Sequence, residues 1–144
     1  MFYGQYRHSL DEKGRLIMPA KYREQLADGL VMTRAIDDPC ILVYARSEWP
    51  AFERSLLEKL PVISSETARR ARRVIFSNAA EDTISKQGRI SIPVHLREYA
   101  GIERDVVIAG NGNWLEIWSL ENWEKHDRES QEKVTGEALS QFGI

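Results

Sequence analysis

The 144-residue sequence contains one cysteine, no long apolar run and none of the common catalytic motifs. A single cysteine, Cys40, cannot form an intramolecular disulfide, and its apolar neighbours predict a small buried side chain. No apolar run approaches the roughly 20 residues that a membrane-spanning helix needs. Met1 leads directly into a predicted strand, without the pattern of a signal peptide. These absences predict a cytoplasmic protein without membrane contact.

The residues typical of enzyme active sites are scattered along the chain. His8, His95 and His126 are far apart, and the sequence has no HExxH motif, no cysteine pair, no serine elbow and no phosphate-binding glycine loop. We therefore expect no catalytic residue, no metal site, no cofactor and no small-molecule substrate.

Acidic residues slightly outnumber basic ones, 22 against 20, which gives a net charge of -2. The charge is unevenly distributed. Basic against acidic residues number 7 to 6 over 1–46, 6 to 4 over 47–79, 4 to 6 over 80–118 and 3 to 6 over 119–144. DNA affinity depends on a local cationic face. The balance therefore weakens a DNA-binding hypothesis without excluding it, and favours the first half of the chain as the cationic part.

One stretch of the sequence occurs twice. Leu10–Pro19 reads LDEKGRLIMP, and Ile84–Pro93, 74 positions later, reads ISKQGRISIP. Without a gap, the same shift places Arg23-Glu24 on Arg97-Glu98, Tyr44 on Trp118 and Trp49 on Trp123. A constant offset over this length indicates an internal duplication.

Each copy predicts a strand, a turn, a second strand, a short helix and a hairpin. Gly14 and Gly88 lie between apolar runs, where a tight turn requires a positive φ. Asp11 can accept hydrogen bonds from the turn amides. Pro19 and Pro93 suit the first turn of a helix. The predicted strands cover 16–18, 30–35 and 40–44 in the first copy and 90–92, 106–109 and 115–118 in the second, with helices over 20–26 and 94–100.

The segment between the copies is predicted to be helical. Ser47 and Ser64 are expected to cap two helices, and the second helix carries a run of arginines. These arginines could bind phosphates, form a solvated face or pair with another subunit: Arg69, Arg70, Arg72 and Arg73. The predicted organisation is a first repeat over 1–46, a helical linker over 47–79, a second repeat over 80–123, and a C-terminal helix or flexible tail over 124–144.

Four features together resemble the MraZ family: the opening MFYG, the turn Asp11–Arg15, the continuation Pro19–Glu24 and the ending Leu115–Trp118. The resemblance covers nearly the whole chain. It implies an α+β, mostly β fold, in which two tandem AbrB-like repeats form a pseudo-symmetric swapped-hairpin (double-psi-like) β-barrel with a helical linker and a C-terminal helix. Ser85 departs from the family pattern, which often has aspartate there. A serine can still accept a bond from a turn amide, but it carries no charge.

The resemblance also implies a function and a partner. MraZ proteins are sequence-specific DNA-binding regulators, commonly repressors, of the division and cell-wall gene cluster that contains their own gene. We accordingly expect double-stranded DNA as a partner, short direct repeats in the promoter as the target, a ring-shaped homo-oligomer, and association with the nucleoid.

The candidate DNA-binding residues are basic side chains near the two turns. From the residues alone, ordinary solvated charge is an equally good interpretation; the resemblance favours DNA contact, most strongly for Arg15. Arg15 could also pair with Asp11 and hold the turn. The first repeat is expected to dominate. The candidates are Arg7, His8, Lys13, Arg15, Lys21, Arg23, Lys86, Arg89 and Arg97.

Two other functions compete with the regulator hypothesis. One is an assembly protein whose function lies in a ring of subunits, with the basic residues making contacts between them. The other is an enzyme on a related double-psi barrel, which would need a reactive group that the sequence does not display.

Overall fold

The computed structural model describes residues 1–144 and has a mixed α+β fold, mostly sheet, as predicted. It contains a six-stranded antiparallel sheet, a separate two-stranded ribbon and six helices. None of the helices combines the length and apolar character needed to cross a membrane. In chain order the elements are β1 (Gln5–Ser9), β2 (Arg15–Ile17), α1 (Ala20–Arg23), β3 (Leu30–Arg34), β4 (Cys40–Ala45), α2 (Trp49–Lys59), α3 (Glu66–Ser77), β5 (Ala80–Asp82), β6 (Arg89–Ser91), α4 (Val94–Ala100), β7 (Asp105–Gly110), β8 (Leu115–Ser119), α5 (Leu120–Lys133) and α6 (Gly136–Ser140).

The two halves of the chain contribute equivalent strands to the large sheet. Its strand order is β1-β7-β8-β4-β3-β5. The 74-residue shift converts β1 into β5, β3 into β7 and β4 into β8, and it turns the whole order into the same order read backwards. The sheet therefore has the symmetry expected of a duplicated unit.

Much of the strand pairing crosses between the halves. Only the hairpins β3–β4 and β7–β8 pair within one half. β1 pairs with β7, β5 with β3, β4 with β8 and β2 with β6, each across the duplication. Each half thus supplies strands that the other half needs, and the main core cluster of 20 buried residues draws on both.

A pair of aromatic contacts is duplicated together with the strands. Tyr44 and Trp49 meet edge to face at 5.7 Å between ring centroids, and Trp118 and Trp123 do so at 5.9 Å. These contacts dock α2 on β4 and α5 on β8. Trp49 and Trp123 are therefore packing aromatics at equivalent places in the two repeats.

The helix starts differ from the predicted ones in the linker. The residue before α2 is Glu48, which makes no side-chain cap bond, so the predicted cap at Ser47 is wrong. The cap of α3 is Ser65, whose Oγ accepts a hydrogen bond from the Ala68 amide at 3.1 Å. Ser64 was one residue too early, because two adjacent serines offer the same capping chemistry.

Two further boundaries were misjudged from the sequence. The predicted helix 20–26 is only α1, Ala20–Arg23, followed by turns to Asp28. The C-terminal region is more regular than the predicted frayed helix or tail. α5 continues to Lys133, and α6 follows with Thr135 capping it through a hydrogen bond from the Ala138 amide.

Candidate nucleic-acid interface

The ribbon of β2 and β6 presents one face to solvent. Its antiparallel pairs are Arg15 with Ser91, Leu16 with Ile90, and Ile17 with Arg89. Leu16 and Ile90 are buried in the core, at 0% and 1% exposure. Because side chains alternate along a strand, the residues on either side of them point outward. The outer face therefore carries Arg15, Ile17, Arg89 and Ser91.

The turn before β2 is organised by one carboxylate. Oδ1 of Asp11 accepts hydrogen bonds from the backbone N–H groups of Lys13 and Arg15, each at 2.9 Å. Gly14 has a φ of 75°, the left-handed conformation predicted for it. The Asp11 side chain therefore bonds to two backbone amides of the turn.

The same carboxylate also holds the Arg15 side chain. Nε of Arg15 donates to Asp11 Oδ2 at 2.7 Å, while its two terminal nitrogens, Nη1 and Nη2, make no hydrogen bond to the protein. The hydrogen bond from the Arg15 amide, reinforced by the Arg15 side chain and the Lys13 amide, lowers the pKa of Asp11 against a smaller opposing effect of desolvation. Asp11 is therefore a carboxylate at neutral pH, and Arg15 is oriented with its outer fork free.

The turn before β6 has the same backbone but a weaker side-chain anchor. The Gly88 amide donates to the Ser85 carbonyl at 2.9 Å, as the Gly14 amide does to the Asp11 carbonyl at 3.0 Å. Ser85 Oγ accepts a single bond, from the Arg89 amide at 3.1 Å. The Arg89 side chain has no ion pair or hydrogen bond in the structure. Serine thus preserves the turn but leaves the arginine unattached.

Arg23 and Arg97 each reach across to the turn of the other repeat. Nε of Arg23 donates to the Met18 carbonyl at 2.8 Å, and Nε of Arg97 donates to the Ile92 carbonyl at 3.0 Å. A Cβ placed on Gly88 would lie 2.5 Å from Cζ of Arg23, and one on Gly14 would lie 2.6 Å from Cζ of Arg97. Both guanidinium groups are therefore packed against a turn glycine.

The remaining predicted residues are divided between the ribbon turns and other surfaces. Lys13 and Lys86 are exposed in the two turns and make no side-chain bond. Lys21, at the start of α1, donates to the Tyr3 carbonyl at 3.3 Å. Arg7 and His8 lie on the edge strand β1, where Arg7 is 3.6 Å from Glu124 of α5. Arg15 and Arg89 thus lie on the outer face of the ribbon, with one exposed lysine in the turn before each of them, whereas Arg7 faces the C-terminal helix.

Sequence reasoning missed two residues of the ribbon face, Ile17 and Ser91. Ile17 is 45% exposed and lies on the outer face, opposite Arg89. Alternation with buried Leu16 and Ile90 could have identified both positions, but neither residue carries the positive charge that the predicted candidates share.

The arginines of α3 are largely engaged within the protein. Arg70 pairs with Glu66 at 2.9 Å, Arg69 Nη1 donates to the Val62 carbonyl at 2.9 Å, and Arg72 lies 5.9 Å from the Phe76 ring centroid. Arg73 is exposed. Elsewhere, the structure contains no cluster of three or more histidine, cysteine, aspartate or glutamate residues suited to a metal ion.

Comparison with known proteins assigns the chain to a family. The family model described as "MraZ protein, putative antitoxin-like" matches residues 1–73 and 75–141. A protein of Natranaerobius thermophilus named "Transcriptional regulator MraZ" is 47% identical over 131 residues, covering 91% of this chain and 90% of its own length. Proteins with the same name from Syntrophomonas wolfei and Acetivibrio thermocellus are 46% and 40% identical over 146 residues, with both chains of each pair fully covered. The chain therefore belongs to the MraZ family.

Proposed function

We propose that this protein is a sequence-specific DNA-binding transcriptional regulator, acting as a repressor of the division and cell-wall gene cluster that contains its own gene. The observation that carries the proposal is the outer face of the ribbon, on which Arg15 is held by Asp11 with its terminal nitrogens free. The name "Transcriptional regulator MraZ", borne by relatives that cover the whole chain, supports the regulatory role.

The dimensions of the ribbon suit the major groove of DNA. That groove is about 12 Å wide and admits a two-stranded β-ribbon. Arg15 and Arg89 occupy diagonal positions two pairs apart, which separates their backbones by roughly 7–8 Å. An arginine with a free fork can donate two hydrogen bonds to O6 and N7 of guanine. Arg15 is the base-reading residue in this proposal, with Lys13, Lys86 and Arg89 beside it.

The other basic residues have supporting roles. Arg23 and Arg97 add positive charge beneath the turns and hold them, and their terminal nitrogens remain available to a phosphate. Lys21, Arg7 and His8 lie outside the ribbon and its turns, in α1 and β1. We propose that they contribute to phosphate attraction more than to base contact.

A ring-shaped homo-oligomer that binds short direct repeats is consistent with the small size of each contact surface. A ribbon of three residue pairs is about 10 Å long, which is about three base-pair steps along DNA. One such contact is weak, and linked copies multiply the effective affinity. Promoter DNA with several copies of a short repeat would be engaged by several subunits at once.

The fold details and location belong to the same proposal. The crosswise strand pairing and the reversible strand order support a swapped-hairpin, double-psi-like barrel made of two AbrB-like repeats. Its domains would be the repeats 1–46 and 80–123, the linker 47–79 and the C-terminal region 124–144. A regulator of this kind would act in the cytoplasm, on the nucleoid, and would have no catalytic role.

The proposal is tested by fluorescence anisotropy on a duplex from upstream of the protein's own gene, with a scrambled duplex as control. At about 50 and 200 mM salt, phosphate contacts differ strongly in strength. We expect tighter binding to the upstream duplex, lost in Arg15→Ala. The control Arg128→Ala removes the same charge from an exposed residue of α5 and is expected to bind like wild type. Equal binding of both duplexes by the wild type would refute sequence-specific regulation.

A ring-forming assembly protein without sequence-specific DNA binding is the second candidate. It is favoured by exposed apolar side chains in the linker, with Leu57 43% and Ile63 96% exposed. If equal binding of both duplexes accompanied an oligomer that Leu57→Ser or Ile63→Ser disrupts, the assembly function would be preferred.

A further inference from the structure

The two turns of the ribbon have the same backbone conformation, but only the first has acidic side chains that balance its basic ones. Turn 1 (residues 11–15, sequence DEKGR) has two acidic and two basic side chains, whereas turn 2 (residues 85–89, sequence SKQGR) has two basic side chains and no acidic one. Over whole repeats the balance is reversed, since the first repeat is the more cationic. The charge that the ribbon offers to DNA therefore differs from the charge of the repeats that carry it.

The contacts of the two arginines follow this difference. Arg15 is fixed by the ion pair of its Nε with Asp11 at 2.7 Å. Arg89, at the matching position, is bonded to Ser85 through its backbone amide and carbonyl, and its side chain makes no bond. The guanidinium groups beneath the turns do not account for the contrast, because Gly14 and Gly88 each have one at a similar distance. The difference between the turns comes from Asp11 and Ser85.

We propose that the two turns divide the work of DNA binding: turn 2, left uncompensated by Ser85, makes the sequence-independent phosphate contacts, and turn 1, through the Asp11-held Arg15, discriminates between bases. This rests on the proposed function, because it assigns parts of the same surface.

The physical reasons differ for the two turns. A phosphate contact gains most from a charge that has no carboxylate partner, because its neutralisation of the phosphate releases counterions. It needs no fixed geometry, so the Arg89 side chain, which makes no hydrogen bond or ion pair, suits it. Base reading requires a fork held in one orientation, since an arginine side chain otherwise loses rotamer entropy on binding. The Asp11–Arg15 pair provides that orientation before DNA arrives.

Ile17 and Ser91 extend the difference along the strands. Ile17 follows Arg15 on the outer face of β2, where an exposed apolar side chain can contact a thymine methyl group. Ser91 follows Arg89 on β6, where a hydroxyl can bond to a phosphate. The outer face of β2 thus carries the side chains suited to base reading, and that of β6 carries the two suited to phosphate, with Ser91 opposite Arg15 and Ile17 opposite Arg89.

The test adds a carboxylate to turn 2 in one variant and removes the carboxylate charge from turn 1 in another. Ser85→Asp adds a carboxylate to turn 2, and Asp11→Asn removes the charge from turn 1 while it keeps an oxygen for the two amides. Binding of the full-length protein to the upstream and scrambled duplexes is measured at about 50, 100 and 200 mM salt. Arg89→Gln and Arg15→Gln serve as direct deletions, and thermal melts of every variant show that the fold is intact.

For turn 2 we expect Ser85→Asp and Arg89→Gln to weaken binding to both duplexes by the same factor. Each lost phosphate contact reduces the steepness of log affinity against log salt by about 0.9. The ratio of wild-type to variant affinity therefore falls about 3.5-fold between 50 and 200 mM salt. The affinity ratio, that of the upstream duplex to the scrambled duplex, stays at its wild-type value.

For turn 1 we expect the opposite behaviour. Arg15→Gln reduces the affinity ratio by about 5- to 150-fold, the discrimination that one bidentate base contact provides, while scrambled-duplex binding changes little. Asp11→Asn strengthens scrambled-duplex binding and lowers the ratio. Identical effects of Arg15→Gln and Arg89→Gln, or a changed ratio in Ser85→Asp, would overturn the division. An affinity ratio of one in the wild type would instead contradict the proposed function. In that case the salt dependence of scrambled-duplex binding would still test whether turn 2 makes phosphate contacts.

Discussion

Each turn glycine is required by the turn and by a contact from the other repeat. Gly88 has a φ of 79° and lies against the guanidinium of Arg23, while Gly14 has a φ of 75° and lies against that of Arg97. The first requirement was visible in the sequence, because a turn between two apolar runs favours glycine. The second depends on residues that are far from each glycine along the chain. The pair of contacts makes each turn part of the interface between the repeats.

Gly88→Ala is therefore expected to destabilise the protein. A non-glycine residue in the left-handed conformation costs about 1–2 kcal/mol, and the new methyl group would in addition displace Arg23. The free energy of unfolding in urea measures the loss. Gly136→Ala is the matched control, because nothing lies within 4 Å of its Cβ position and it begins α6. That change is expected to be neutral or to stabilise by at most about 1 kcal/mol. Equal effects at both positions would contradict the packing of Arg23 on Gly88.

At the scale of elements, the linker helices are attached to the sheet by few contacts. α2 has no buried residue and rests on β4 through aromatic rings, with Phe52 stacked on Tyr44 at 4.6 Å between centroids. α3 buries Ala68 and Ile75. Its carboxyl end is joined to β3 by a buried hydrogen bond, in which Oγ1 of Thr33 donates to the Ile75 carbonyl at 2.7 Å.

Thr33→Val tests that attachment. Valine has the shape of threonine but no donor, so the buried Ile75 carbonyl loses a partner, at a cost of about 1–3 kcal/mol. We expect a lower urea midpoint, with an unchanged slope of the free energy of unfolding against urea concentration. Thr83→Val makes the same substitution at an exposed threonine whose hydroxyl forms no hydrogen bond, and it should leave the free energy of unfolding within about 0.5 kcal/mol of the wild-type value. A Thr33→Val protein as stable as the control would show that the bond contributes nothing.

The elements themselves were largely predictable from the sequence, and their partners were not. Turn glycines, prolines and apolar runs located the strands and most helices, because these signals are local. The antiparallel pairing of β2 with β6 joins residues more than 70 positions apart, and no local pattern specifies it. For the same reason, Arg23 and Arg97 were predicted to bind DNA without a sign that they also brace the opposite turns. Their DNA contact remains a prediction.

At the scale of the whole molecule, the two halves depend on each other for both sheet and core. Four of the six strand pairings cross the duplication, and a half of this length alone would have a marginal core. The ribbon exists only where both halves meet. The proposed DNA-binding face, which needs this ribbon, would therefore be present only when the whole chain is folded.

The molecule is therefore expected to unfold in one cooperative transition. Leu16→Ala in the first half and Leu96→Ala in the second remove fully buried side chains of the shared core, and each should cost about 2–5 kcal/mol. At a fixed protein concentration, tryptophan fluorescence and far-ultraviolet circular dichroism should give coincident urea curves for both variants, shifted as a whole. If the halves were independent domains, each substitution would shift one of two separate transitions. Coincident curves would mean that a substitution in the core of either repeat weakens both turns of the ribbon together.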